Sequence, residues 1–128
     1  MAVVLDASAA VHGLLGDGDA RALMATEVLH VPHLADSEVA SVLRRHVSAG
    51  RLAVDDGRRA LVTWGRLGVT RHPAVGLLDR VWELRGNVTA YDATYVALAE
   101  ELGGALVTGD ARLGRAPGLR CDVLVVPG

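Results

Sequence analysis

Ala2-Val3-Val4-Leu5-Asp6-Ala7-Ser8 is the stretch from which the rest of the chain is read. Its apolar run is too short for a helix. It predicts a strand buried on both faces, the situation of a strand inside a parallel sheet. The run stops at an acid, and in open parallel sheets ligands gather at the carboxyl ends of the strands. Ala105-Leu106-Val107-Thr108 repeats the pattern and runs into Gly109-Asp110, and Val123-Leu124-Val125-Val126 is a third such run. Residues 30–32 and 69–71 read as shorter strands.

Between these runs the apolar spacing is helical. Helices are expected over 7–14 and over 19–29, after the Gly16-Asp17-Gly18-Asp19 turn. The clearest lies over 34–49, with Val39, Val42, Leu43 and Val47 on one stripe and Gly50 as its stop. Asp55-Asp56 opens another helix that runs to Gly68. Pro73 opens one that runs to Leu84, and Thr89 caps one that ends at Gly103-Gly104. Strands alternating with helices specify an α/β domain around a mostly parallel sheet. The chain has 128 residues, which fits one domain over 1–128.

Composition excludes several functions. The net charge is −2, and all 13 basic residues are Arg. That balance does not advertise a nucleic-acid surface. A pocket of acids neutralised by divalent cations leaves the remaining surface mildly basic, however. The single cysteine, Cys121, excludes an internal disulfide and a multi-cysteine metal site, and reads as packing. The first apolar run breaks at Asp6 with no basic leader, so it does not read as a signal peptide, and no run reaches membrane-spanning length. A cytoplasmic chain is expected. Hydrophobic residues make up 51%, and a domain of this size buries only about 68% of its unfolded surface. Some apolar surface is therefore expected to be covered by a partner or a second copy.

Four acids stand out. Asp6 and Asp110 follow strands; taken singly, the first reads equally as a helix N-cap and the second as part of a turn. Glu38 falls inside the 34–49 helix, on one face with Leu34 and Val42, where an acid is costly unless paired or bound to a cation. The alternative is a Glu at the stripe's edge that reaches solvent and pairs with Arg45. Asp92 lies three residues after the Thr89 cap, which suits the helix dipole, and shares a face with Tyr95, Val96 and Ala99, which should pack on the sheet. Together the four can converge on one pocket. Clustered carboxylates raise one another's pKa values, and a hard cation such as Mg²⁺ or Mn²⁺ removes that conflict. An all-carboxylate site without His or Cys points to phosphate chemistry.

These segments resemble the PIN-domain nucleases, most closely the VapC-like toxins of toxin–antitoxin pairs. The resemblance is carried by Val3-Val4-Leu5-Asp6-Ala7-Ser8, by Pro32 with Glu38-Val39, by residues 87–99 around Asp92, and by Leu106-Val107-Thr108-Gly109-Asp110. It implies a three-layer sandwich with a short central sheet flanked by helices. It implies Asp6, Glu38, Asp92 and Asp110 as the catalytic and metal-binding acids, with Ser8 and Thr108 as supporting hydroxyls. It also implies hydrolysis of RNA with a Mg²⁺ or Mn²⁺ cofactor, a small antitoxin as partner, and a homodimer. Arg112 and Arg115, just after Asp110, are the nearest candidates for phosphate contacts.

Other readings fare worse. A receiver domain needs a Lys at its phosphate site, and the chain has none. No Gly-rich run ends in Gly-Lys-Ser/Thr, and Asp6 stands where a dinucleotide-binding turn belongs. A non-catalytic domain that binds RNA or a partner, and a DNA-directed nuclease of the same architecture, remain as alternatives. Trp64 and Trp82 read as core or interface, and neither His30 nor His33 has ligand spacing.

Overall fold

The computed structural model describes residues 2–128. Strands β1 (Ala2–Leu5), β2 (Val28–Pro32), β3 (Thr70–His72), β4 (Ala105–Thr108) and β5 (Val123–Val125) form one sheet in the order β3-β2-β1-β4-β5, and every neighbouring pair is parallel. The central strand is the continuous apolar run at the start of the sequence; Val4 and Leu5 are fully buried, as a strand covered on both faces must be. Val4 stands opposite His30 on one side and Leu106 on the other.

Helices α1 (Ala7–Leu15) and α2 (Asp19–Thr26) connect β1 to β2, and α3 (Ala35–Ser48) and α4 (Val54–Arg66) connect β2 to β3. A 3₁₀ turn (Val75–Leu77), α5 (Leu78–Glu83) and α6 (Ala90–Leu102) then lead back to β4 on the far side of β1, and α7 (Ala111–Gly114) links β4 to β5. Parallel crossovers are right-handed. The outward connections from β1 therefore put α1 to α4 on one face, where they pack on one another, and the reversed connection puts α6 on the other face, against β1, β2 and β4. The result is the three-layer α/β sandwich expected from the sequence. Residues 93–99 of α6 are buried without a break, because this helix faces both the sheet and α5.

Asp36 ties the first layer together. It accepts hydrogen bonds from Trp64 Nε1 (2.8 Å) and Arg71 Nε (2.9 Å), joining α3 to α4 and β3. Trp64 is accordingly core, whereas Trp82 on α5 is 69% exposed, with the Arg85 guanidinium 4.8 Å from its ring centroid.

Three expectations change. The helix expected over 19–29 stops at Thr26, because Val28 and Leu29 pair beside Ala2 and Val3; strand pairing overrides a helical pattern at its end. The helix after Pro73 is broken into the 3₁₀ turn and α5. The segment after Asp110, given no element by the sequence, is α7, whose four residues are too short to carry a periodic signal. Among the described residues no helix is long and apolar enough to cross a membrane.

Candidate active site

Strand order reverses between β1 and β4, and such a switch point opens a crevice at the carboxyl ends of the two strands. Asp6 and Asp110 follow these two strands, so the sheet topology alone brings them together. Asp6, 6% exposed, caps α1 by accepting from the Ala9 N–H (2.9 Å). Its oxygens also accept from Ser8 Oγ (2.6 Å) and from the Thr108 hydroxyl. Thr108 Oγ1 in turn accepts the Asp110 N–H (3.0 Å), and Ser8 Oγ accepts the Gly109 N–H (2.8 Å). The turn at 108–110 is thereby laced to the end of β1. Only glycine fits at its middle, since a Cβ on Gly109 would stand 2.4 Å from Cε1 of His12.

The other two acids come from the opposite layers. Glu38 comes from the first turn of α3, and Asp92 from the first turn of α6, where its N–H bonds to Oγ1 of the cap residue Thr89 (3.2 Å). Glu38 lies inside the helix, as the sequence pattern has it, and within its first turn, since the helix begins at Ala35. Asp6, Glu38 and Asp92 thus all sit at N-termini of helices, whose positive dipole ends favour negative charge.

All four line one cavity of about 170 Å³, with Ser8, Arg45 and Tyr95 in its wall. A second cavity of about 280 Å³ shares Asp92 and Asp110 with it and is bounded by Asn87, Thr89, Arg112 and Leu113. Arg112 is turned toward Asp110, Nε to Oδ1 at 3.3 Å, and holds that carboxyl below its usual range. Arg115 lies exposed beyond α7, outside the wall of either cavity, and reaches Asp110 only through its charge. Arg45 forms no ion pair with Glu38; its Nη1 donates to Ser41 Oγ (3.3 Å).

Burial pushes the Glu38 carboxyl up, and the charges of Asp92 and Asp6 push it further, against a lowering contribution from the Tyr95 hydroxyl. Asp92 is raised by burial first and then by the charges of Asp6 and Asp110. Glu38 and Asp92, whose ionisation burial and the neighbouring acids disfavour, fit a hard divalent cation, which takes oxygen ligands and reverses that repulsion. Among the described residues no three His, Cys, Asp or Glu side chains close into a cage around one point.

Sequence reasoning treats Tyr95 as a packing residue and Arg45 as an ion-pair partner for Glu38. Both line the acidic cavity. Tyr95 follows Asp92 by three residues and Arg45 follows Glu38 by seven, so helical spacing carried the signal. His72, which has no partner in the sequence pattern, meets His30 across the β2–β3 pair, Nε2 to Nδ1 at 2.8 Å.

Residues 3–119 match the PIN domain family model. The chain is 60% identical over 125 residues, 98% of each chain, to Ribonuclease VapC9 of Mycobacterium tuberculosis strain H37Rv. Its fold superposes on the crystal structure of Mycobacterium tuberculosis VapC20, described as a Sarcin-Ricin loop cleaving toxin, with a TM-score of 0.69, covering 98% of this chain and 99% of that one at 20% identity. It also superposes on VapBC2 from Rickettsia felis, solved bound to a DNA fragment from their promoter, with a TM-score of 0.67, covering 96% and 98% at 13% identity.

Proposed function

This chain belongs to the PIN-domain family, and from that premise we propose that it is a VapC-like toxin, an endoribonuclease that hydrolyses RNA phosphodiester bonds with Mg²⁺ or Mn²⁺ at Asp6, Glu38, Asp92 and Asp110. The 60% identity to a ribonuclease over nearly the whole of both chains carries the RNA-cleaving activity. The single observation that carries the metal site is the convergence of four carboxylates from four helix starts on one cavity.

A bound divalent cation supplies Lewis acidity toward the phosphate and a more acidic attacking water. The chain's own groups do the rest. Ser8, Thr108 and the Ala9 N–H hold both Asp6 oxygens in one orientation, so Asp6 is presented to the cavity without freedom to rotate. Glu38 and Asp92, with proton affinity raised above that of ordinary carboxylates, are the better placed of the four to accept a proton from water. Arg45 and Arg112 stand in the walls of the two adjoining cavities, Asp92 and Asp110 between them. An RNA strand crossing both cavities has a guanidinium available for a phosphate on either side of the acids. Arg112 leaves Asp110 to make that contact. Arg115, farther out, serves the strand only beyond this stretch.

Two protein partners belong to this reading: a small cognate antitoxin and a second copy of the chain. The likeness to VapBC2 supports the first. Apolar side chains left in solvent, Val54, Leu61 and Val62 on α4 and Val75, Leu78 and Trp82 around α5, are surface of the kind partners cover. An RNA substrate places the work in the cytoplasm. A non-catalytic binder has no use for a pocket of mutually repelling acids.

The test is incubation of purified protein with a pool of structured RNAs, with Mg²⁺ or Mn²⁺ and with EDTA, beside Asp6→Ala. Metal-dependent cuts absent from the variant are expected. Cuts that persist in EDTA or in Asp6→Ala overturn the assignment.

A further inference from the structure

Of the four acids, Glu38 and Asp92 are the two whose carboxylates no hydrogen bond of normal geometry holds among the described residues. Asp6 is held by three donors, and Asp110 by Arg112. Asp92 emerges from a capped helix start. Glu38 has the longest side chain of the four, and ordering a Glu costs up to about 2 kcal/mol in rotamer freedom. Arg45 bears on it through charge, and the nearby Tyr95 hydroxyl lowers its proton affinity.

Tyr95 is 1% exposed, and its hydroxyl is buried in the wall of the acidic cavity. The hydroxyl shares the cavity wall with Glu38 but forms no hydrogen bond. An unsatisfied buried hydroxyl costs about 1–3 kcal/mol, and phenylalanine would fill the same space without it. Packing therefore accounts for the ring and not for the oxygen. The groups around that oxygen are Glu38, Asp6 and Asp92, all acceptors when ionised. A phenol has one proton to give and carboxylates have none, so toward these groups the hydroxyl serves as a donor.

We propose that Tyr95 is a positioning residue of this site, whose hydroxyl donates to the Glu38 carboxylate when the site is loaded and fixes that carboxylate toward Asp6 and Asp92. The assignment rests on the metal-dependent ribonuclease reading. It explains why a buried hydroxyl is left open: its acceptor is completed only when the Glu38 carboxylate is drawn inward. Tyr95 itself touches neither the reacting phosphate nor the attacking water; it acts through Glu38.

The experiment compares wild type, Tyr95→Phe, Glu38→Gln and the double variant in two ways. One is RNA cleavage at saturating Mn²⁺. The other is thermal melting of the protein alone across a Mn²⁺ titration, which needs no turnover. Tyr95→Phe is expected to melt no lower than wild type without metal, because it loses only an unsatisfied hydroxyl. It is expected to need about tenfold more Mn²⁺ for half of the stabilisation, and to lose about 10- to 100-fold in kcat with KM for RNA unchanged, the size of effect seen when the support of a metal ligand is removed. In the Glu38→Gln background the same substitution is expected to change neither quantity further, which a merely structural role would not produce. A Tyr95→Phe protein with the wild-type Mn²⁺ midpoint and kcat, or effects that simply add to those of Glu38→Gln, would sink the positioning role while leaving the nuclease reading intact. A wild-type protein that neither binds Mn²⁺ nor cleaves RNA removes both.

Discussion

At the scale of single residues, the hydroxyls behind the acids matter as much as the acids. Thr108 donates to Asp6 and accepts the Asp110 N–H, so one side chain sets the spacing between the two strand-end carboxylates. Thr108→Val keeps the shape and removes both bonds. It is expected to cost about 1–3 kcal/mol in a urea melt, because the partners are buried, and about 10- to 100-fold in activity. Thr108→Ser, which keeps the oxygen, is expected to retain most of both. Equal behaviour of the two variants would show that the hydroxyl is not what orders the turn. Asp6, Asp92 and Asp110 were legible in the sequence because strand ends and helix caps are local features. The Tyr95 hydroxyl was not: the spacing that puts it beside Asp92 is the spacing of any core residue, and its acceptor belongs to another helix.

At the scale of elements, the outer pair of strands carries a titration of its own. His30 on β2 and His72 on β3 share one hydrogen bond, and burial, followed by the neighbouring His72, lowers the His30 pKa below 6.5. A depressed imidazole contributes stability that is complete above the unfolded value. That stability is lost as pH falls from 6.5 toward the lower folded value, because the unfolded chain then binds the extra proton. Urea melts at pH 7, 6 and 5 should therefore show falling stability, with a shallower slope in His30→Gln. Identical slopes would remove the pair from the account. Element boundaries followed the same division of legibility. The run at 2–5 and the capped helix after Thr89 appear where local pattern places them. The 19–29 helix gave way to β2, and α7 carried no pattern at all, since pairing partners and a four-residue length are invisible to periodicity.

At the scale of the whole molecule, the fold stores repulsion at one point. Four helix starts from both layers and the sheet crevice converge there, and burial together with the neighbouring acids raises the proton affinity of Glu38 and Asp92, which opposes their ionisation in the folded state. For Asp92 the folded pKa lies above the ordinary 3.8, so its ionisation is disfavoured in the folded state and stability falls as pH rises from 3.8 through the folded value. Asp92→Asn should accordingly be more stable than wild type in EDTA at neutral pH, with the gain vanishing below about pH 4, and should lose cleavage. A variant less stable than wild type in EDTA would mean that Asp92 contributes more as a helix-start acid than it costs as a crowded one. The sequence by itself determined the α/β class and marked four acids at strand ends and on helices, because burial of an apolar run and helix caps are local. Only the tertiary structure decided that β1 and β4 lie side by side at the reversal of strand order, that Glu38 enters from a helix start in one layer and Asp92 from the other, and that Tyr95 shares a cavity wall with Glu38. These are relations between segments far apart in the chain, created by right-handed crossovers and sheet pairing, and no spacing along the sequence encodes them.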